Sequence, residues 1–269
     1  MAGKDQKTEY LSEPIILKVV TFNIRDLYLV EGNRVNRMRS IGKKFAELNP
    51  DIIGVQEAFV KRDRRKILKD IQNTQLRYNL YYPSGLVGSG LFILSAFPIK
   101  KKSFLRYSKN GKWYKLWHGD WWVGKGAAHS RIQLPDNQGY LDFFNTHTHA
   151  QYYINDEYHE TRCSQMNELG RFIQHISREN YPSLVVGDFN CEPGSLEYKI
   201  AVEEGNLTRM MDIPSKLDHI FAVKNPKYNF EVLDTQGIAH YLPENRKIFR
   251  LSDHKCYMST IRITPNKKK

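Results

Sequence analysis

The stretch Leu184-Val185-Val186-Gly187-Asp188-Phe189-Asn190 is an apolar run that stops at two short polar side chains one residue apart. In a strand, that spacing sets Asp188 and Asn190 on one face where buried backbone meets solvent, the place where α/β proteins gather their chemistry. Four further runs end in the same way: Ile16 to Asn23, Ile52 to Glu57, Tyr140 to His149, and Asp218-His219-Ile220-Phe221 with Ser252-Asp253-His254 after it. Strands that repeatedly finish in Asn, Glu, His and Asp imply one cluster of oxygen and imidazole groups drawn from distant parts of the chain. Singly, each residue has a plainer reading. A strand-end Asp caps a turn, Asn23 turns the chain into Ile24-Arg25-Asp26, and a histidine fills a structural place. Each strand end would need its own such reason, and that favours a shared site.

With 269 residues the chain can bury a sizeable core. No repeat, long linker or shift of composition divides it. The expectation is one domain over residues 15–263, between a flexible segment at 1–14 and a basic tail at 264–269. Helical spacing recurs through Val35, Met38, Ile41, Phe45 and Leu48, then over Lys61 to Gln72 and Asp156 to Ser177. Strand-like segments fall at Ser89 to Ser95, Ala127 to Leu134, Tyr140 to Asn145 and Met258 to Ile263. Strands and helices alternate early and strands cluster mid-chain, which predicts an α/β (α+β) fold, a mixed sheet system covered by helices rather than a parallel barrel.

The net charge of +12 favours polyanions or anionic membrane surfaces, although a solubility bias reads equally well from composition alone. No apolar stretch nears the roughly 20 residues that span a bilayer, and the first residues lack an apolar signal core. A cytoplasmic monomer, at most peripheral at membranes, is the expectation. Cys163, Cys191 and Cys256 are too few and too scattered for a disulfide framework or a zinc knuckle.

A hard cation such as Mg²⁺ takes oxygen ligands, often one or two carboxylates with water and substrate phosphate. Glu57, with Asn23 alongside, suits it. Hydrolysis at phosphorus then needs a base for water, and His254 serves, with Asp218 to fix its tautomer. Asp188, Asn190 and His147 remain to hold phosphoryl oxygens, orient water and neutralise developing charge.

These residues resemble a known family. Thr21-Phe22-Asn23-Ile24, Val55-Gln56-Glu57, Thr146-His147-Thr148-His149, Gly187-Asp188-Phe189-Asn190, Leu217-Asp218-His219 and Ser252-Asp253-His254 follow the order of the endonuclease/exonuclease/phosphatase superfamily over roughly residues 15 to 263. The resemblance implies a DNase I-like sandwich of two mixed β-sheets flanked by helices, with a divalent-metal site at one end. Gly88 to Ile99, Gly124-Lys125-Gly126-Ala127, and Thr146 to Ala150 followed by Arg162, Gln165 and Leu169 resemble the neutral sphingomyelinase branch. That implies a phosphodiesterase that uses Mg²⁺, or Mn²⁺, to release phosphocholine and ceramide from sphingomyelin at a membrane surface. Glu57 is then the principal metal ligand with Asn23 nearby, His254 the base and Asp218 its partner. Asp188, Asn190, His147 and Asp253 surround the phosphate or a second metal position.

Lys125 between glycines suits a phosphate clamp, although a lysine in a β-turn reads equally from spacing. Trp113, Tyr114, Trp117, Trp121 and Trp122 crowd one short stretch beside Lys112 and Lys115. That composition suits a membrane interface or a choline headgroup, and suits a core as well. Trp122 and Tyr152 are the candidates near the headgroup. Two basic runs, Lys61 to Lys66 and Lys100-Lys101-Lys102, fit either an anionic membrane or a nucleic-acid backbone. A DNA nuclease using the same centre and a non-catalytic binding module that kept the fold are the alternative readings.

Overall fold

The apolar runs become the central strands of two facing sheets in a computed structural model that describes residues 10–26, 34–109, 123–151, 158–178, 181–238, 241–244 and 247–266. The chain runs β1 (Ile15–Asn23), α1 (Arg34–Leu48), β2 (Ile52–Gln56), α2 (Lys61–Asp70), β3 (Tyr78–Tyr81), β4 (Phe92–Ser95), β5 (Ile99–Arg106), β6 (Gly126–Gln133) and β7 (Tyr140–His147). It continues with α3 (His159–Ser177), β8 (Ser183–Asp188), α4 (Leu196–Glu204), β9 (Leu207–Arg209), β10 (Asp218–Val223), β11 (Tyr228–Ile238), β12 (Tyr241–Glu244), β13 (Lys247–Arg250) and β14 (Cys256–Pro265). One sheet is ordered β11-β14-β1-β2-β4-β3 and the other β5-β6-β7-β8-β10-β9, with β12 and β13 forming a separate two-stranded ribbon. Each six-stranded sheet is mixed: β1 and β2 are parallel, as are β7 and β8, and the remaining pairs are antiparallel.

Side chains alternate across each strand, so one parity faces the other sheet and the next faces the helices. Leu17, Val19, Ile52, Leu141, Phe143, Leu184, Val186 and Ile220 share the core between the sheets. Val20, Phe22, Ile53 and Val55 pack instead with Met38, Ile41 and Phe45 of α1. Phe144, Val185 and Phe221 pack with Met166, Leu169 and Ile173 of α3. The result is four layers, a helical pair outside each sheet. The sheets approach so closely at Gly54 that a Cβ there would lie 2.3 Å from Val186 Cγ2.

That parity positions the site. Thr21 and Asn23 continue the inward set of Leu17 and Val19. Asn145 and His147 continue that of Leu141 and Phe143, and Asp188 that of Leu184 and Val186. Asp218 belongs with Ile220 and Ala222. At their last residues the inward positions change from apolar to polar, and all these ends lie at one end of the sandwich, since Asp218 pairs with Asp188, His147 with Asp188, and Asn23 with Gln56.

Several boundaries differ from the sequence expectation. Strand β7 ends at His147, before Thr148 and His149; α2 ends at Asp70, where the Ile71 N–H closes the last turn on Ile67 O. The Lys100-Lys101-Lys102 run lies in β5, an edge strand whose lysines are exposed. Trp113, Tyr114, Trp117, Trp121, Trp122, Tyr152 and Tyr153 lie outside the described residues.

Candidate active site

Under the polar strand ends lies a buried layer that ties the sheets together. Gln56 Nε2 donates to Asn145 Oδ1 at 2.7 Å and to Thr21 Oγ1 at 3.2 Å, and Asn145 Nδ2 donates to Val55 O at 3.0 Å. Buried amides satisfied in this way are costly to disturb, because losing one partner strands the other in a dry layer. Gln56 and Asn145 were not singled out as site residues, although an amide at an inward parity of an apolar strand is itself a signal.

On this floor stands the cluster. Asn23 Nδ2 donates to Glu57 Oε1 at 3.0 Å and, across the gap between sheets, to Asp188 Oδ2 at 2.9 Å. Its Oδ1 accepts the Arg25 N–H at 3.0 Å, which fixes which end of the amide faces inward. Asn23 thus presents its NH₂ to the two carboxylates and holds them at fixed spacing. Glu57 itself sits where β2 ends, in the left-handed region at φ 54°, as does Asn190 at φ 46°. Such backbone costs about 1–3 kcal/mol for a non-glycine residue and concentrates at functional sites. Asn190 returns its N–H to Asp188 Oδ1 at 3.0 Å and donates Nδ2 to Thr148 O at 3.1 Å.

Lys125 is 2% exposed, its ammonium buried beside the cluster. Its Nζ donates to Thr148 O at 2.7 Å and lies 3.2 Å from His147 Nε2. That same imidazole nitrogen is 3.6 Å from Asp188 Oδ2 and 3.9 Å from Glu57 Oε1. Burial, and then the Lys125 charge, hold His147 well below the ordinary histidine pKa, so it is neutral.

His254 arrives from the loop before β14. Ser252 Oγ donates to Asn23 O at 2.6 Å and accepts the His254 N–H at 3.2 Å, which clips the loop to the end of β1. Arg37 adds a buried clamp, donating to Ile24 O, Arg25 O and Leu251 O. His254 Nδ1 pairs with Asp218 Oδ2 at 2.9 Å, and Nε2 lies 3.6 Å from Asp188 Oδ2. Burial opposes its charge, yet the carboxylates of Asp188 and Asp218 prevail and raise its pKa to about 10. Asp253 stands at the rim, paired with Arg25 Nη1 at 3.0 Å. His219, next to Asp218 in sequence, faces the helices instead, against Phe189 and Tyr198.

The electrostatics fit a cation. Glu57, Asp188 and Asp218 all have raised pKa values because burial penalises their charge, Asp188 to about 6. Three buried carboxylates against Lys125 and protonated His254 leave one negative charge. With His254 neutral they leave two, the charge of a divalent ion. Glu57 Oε2 is buried with no hydrogen-bond partner, and such a lone acceptor in a dry site suits an oxygen-seeking cation. The ligand atoms of Asp188, Asp218 and His254 lie within 4.8 Å of one another. The Asp218 to His254 hydrogen bond nevertheless commits that pair to each other, so Glu57 with Asp188 is the set that would hold the ion.

This has a consequence for stability. A carboxylate whose folded pKa is raised stabilises the fold below its unfolded value and loses that contribution as pH rises through the folded value. For Asp188 the loss falls between 3.8 and about 6. Protons and cation compete for the same oxygens, so Mg²⁺ should raise the melting temperature more above pH 6 than below it. Glu57→Gln should abolish that gain in a thermal melt; an equal gain in the variant would remove Glu57 from the ion site.

Residues 20–254 match the Endonuclease/Exonuclease/phosphatase family. The chain belongs to that family. Among curated members it is 32% identical over 206 residues to the inositol phosphosphingolipids phospholipase C of Schizosaccharomyces pombe, covering 76% of this chain and 48% of that protein. It is 31% identical over 181 residues to sphingomyelin phosphodiesterase 2 of Rattus norvegicus, covering 67% of this chain and 42% of that protein. This family member therefore spans about half the length of those relatives. In fold it resembles a beta toxin of Staphylococcus aureus (F277A, P278A mutant) solved with bound magnesium ions, with a TM-score of 0.67 and 19% identity over 91% of this chain and 99% of that one. No helix among the described residues is long and apolar enough to cross a membrane.

Proposed function

We propose that this chain is a Mg²⁺-dependent phosphodiesterase that hydrolyses sphingomyelin, or a related phospholipid, to a phosphorylated headgroup and ceramide. The observation that carries the reading is the His254 to Asp218 pair, with the His254 Nε2 turned toward the carboxylate of Asp188. The names of two relatives, an inositol phosphosphingolipids phospholipase C and a sphingomyelin phosphodiesterase, support the choice of lipid.

His254 Nε2 takes the proton of the attacking water, while Asp218 holds the Nδ1–H and stabilises the imidazolium that forms. The water oxygen bonds to phosphorus as the bond to the ceramide oxygen breaks; the departing alkoxide takes a proton from solvent water, and the imidazolium returns its own to solvent. Lys125 places a full positive charge, and Asn190 a second amide N–H, where phosphoryl oxygens gain negative charge. Asn23 keeps Glu57 and Asp188 apart at fixed spacing. A cation bound at Glu57 and Asp188 would supply Lewis-acid stabilisation of the phosphoryl oxygen. Mn²⁺ fits the same oxygens.

The test is a parallel assay of sphingomyelin in mixed micelles, an inositol phosphosphingolipid, and supercoiled plasmid. Phosphocholine or inositol-phosphate release is the expected result, and the stronger of the two names the headgroup. Plasmid nicking without lipid turnover would move the same centre to a nucleic-acid substrate.

A further inference from the structure

We propose that the turn Leu86-Val87, with the exposed side chains Lys61, Arg62 and Arg65 of α2, is the surface by which this protein docks on a membrane carrying anionic lipid. The inference deepens the proposed function and rests on it for the meaning of docking beside the catalytic centre.

Leu86 is 80% and Val87 46% exposed. They form the tip of a turn between Gly85 at φ 60° and Gly88 at φ 107°. Tips of this kind usually carry Gly, Asn, Asp or Ser, and two adjacent aliphatic side chains held in water contribute nothing to the fold. The turn is firmly seated. Gly85 bridges to Val123, and the Gly124 N–H donates to Gly88 O at 3.2 Å. On its other side the Ala58 N–H donates to Gly90 O at 2.8 Å. Its two feet therefore rest on the residues just before Lys125 and just after Glu57, which puts the apolar tip on the rim of the catalytic centre.

The charge beside it is placed with equal consistency. Arg64 turns inward, donating to Phe59 O at 2.8 Å and lying 3.6 Å over the Tyr81 ring, and so anchors α2 against β3. Lys61, Arg62 and Arg65 stay exposed. Lys61 and Arg62 occupy the first helical turn, where the helix's own positive end disfavours cations. Positive potential is thus concentrated beside the apolar tip at some cost to the helix. Either signal alone gives only marginal binding, and stable membrane binding takes the two together. A nucleic-acid backbone would use the charges but gain nothing from Leu86 and Val87, which is why a bilayer is the occupant. The other basic run is elsewhere: Lys101 and Lys102 pair with Arg131 and Ser130 of β6, whereas the catalytic end of that strand is Gly126.

Sedimentation with phosphatidylcholine vesicles, with and without phosphatidylserine, tests this in EDTA, where no lipid is turned over. Binding to the phosphatidylserine vesicles should fall on the order of tenfold for Leu86→Ser with Val87→Ser, and for Lys61→Glu with Arg62→Glu. Added salt should weaken wild-type binding. Lys101→Glu with Lys102→Glu should bind as wild type. The single changes Leu86→Ser and Lys61→Glu, checked by thermal melts, stand in should a double variant misfold. Wild type that ignores the vesicles, tip variants that bind normally, or an equal loss on changing Lys101 and Lys102 would each overturn the proposal. Docking that depends on Leu86 in a protein that leaves sphingolipid intact would refute the proposed function alone.

Discussion

Replacing His254 with Ala is expected to lower kcat by on the order of 10²–10⁴, the loss typical of removing a general base. The imidazole is tied down by Asp218 on one side and reaches toward Asp188 on the other, so no neighbouring group takes over its proton transfer. The variant should still bind Mg²⁺, and more tightly, because removing a protonated imidazole leaves the carboxylates with less opposing positive charge. The pH profile separates a base from a structural histidine. Without metal, His254 keeps its proton up to about pH 10. Its folded pKa is raised, so its stabilising contribution is full below 6.5 and is lost as pH rises toward 10. A bound cation opposes the imidazolium and brings the neutral form into reach of lower pH. Wild-type kcat should therefore rise with pH, and the residual rate of the variant should lack that rise. A folded variant with near-normal kcat would end the assignment.

Lys125→Met is expected to lower kcat by on the order of 10²–10³, the scale of losing one donor that stabilises transition-state charge. Methionine keeps the unbranched shape of the buried stem and removes only the ammonium. Three effects of that one charge can be read separately. His147 loses a neighbour that lowers its pKa, so its titration should move up. Glu57 and Asp188 lose a neighbour that lowers theirs, so their pKa values should rise; at a pH where both stay ionised the site has lost one positive charge, and the Mg²⁺ concentration for half-maximal activity should fall even as kcat falls. If Lys125 only clamps Thr148 O, the melting temperature drops while kcat and the Mg²⁺ requirement stay as they were.

Most of this centre was legible because it obeys strand parity. Asn23, His147, Asp188 and Asp218 end apolar runs, and an inward position that turns polar at a strand end leaves a plain mark in sequence. Gln56 and Asn145 were harder to read, because their partners lie on the opposite sheet and nothing local announces a hydrogen bond over 89 positions. The role of Ser252 depends on meeting Asn23 O, 229 positions away in the chain. In the fold, β11 leaves little mark in the sequence because it lies at a sheet edge, is largely exposed, and has its alternation broken by a bulge between Val232 and Asp234. The lysines of β5 hid a strand for a related reason: an edge strand keeps its charges on show. Helix α4 carries little amphipathic pattern and announces itself only through Ser195, whose Oγ accepts the Tyr198 N–H. Asn23 shows the limit of reading a side chain by type: an amide offers an oxygen and an NH₂, and the Arg25 N–H decides which of them faces the carboxylates.

The most direct measurement is hydrolysis of sphingomyelin micelles in heavy-oxygen water with Mg²⁺, with EDTA and the His254→Ala variant in parallel. Water attack at phosphorus predicts the label in phosphocholine and none in ceramide, with release abolished by EDTA and nearly lost in the variant. Label in ceramide, or release that persists in EDTA, would contradict a metal-assisted attack on phosphorus by water activated at His254.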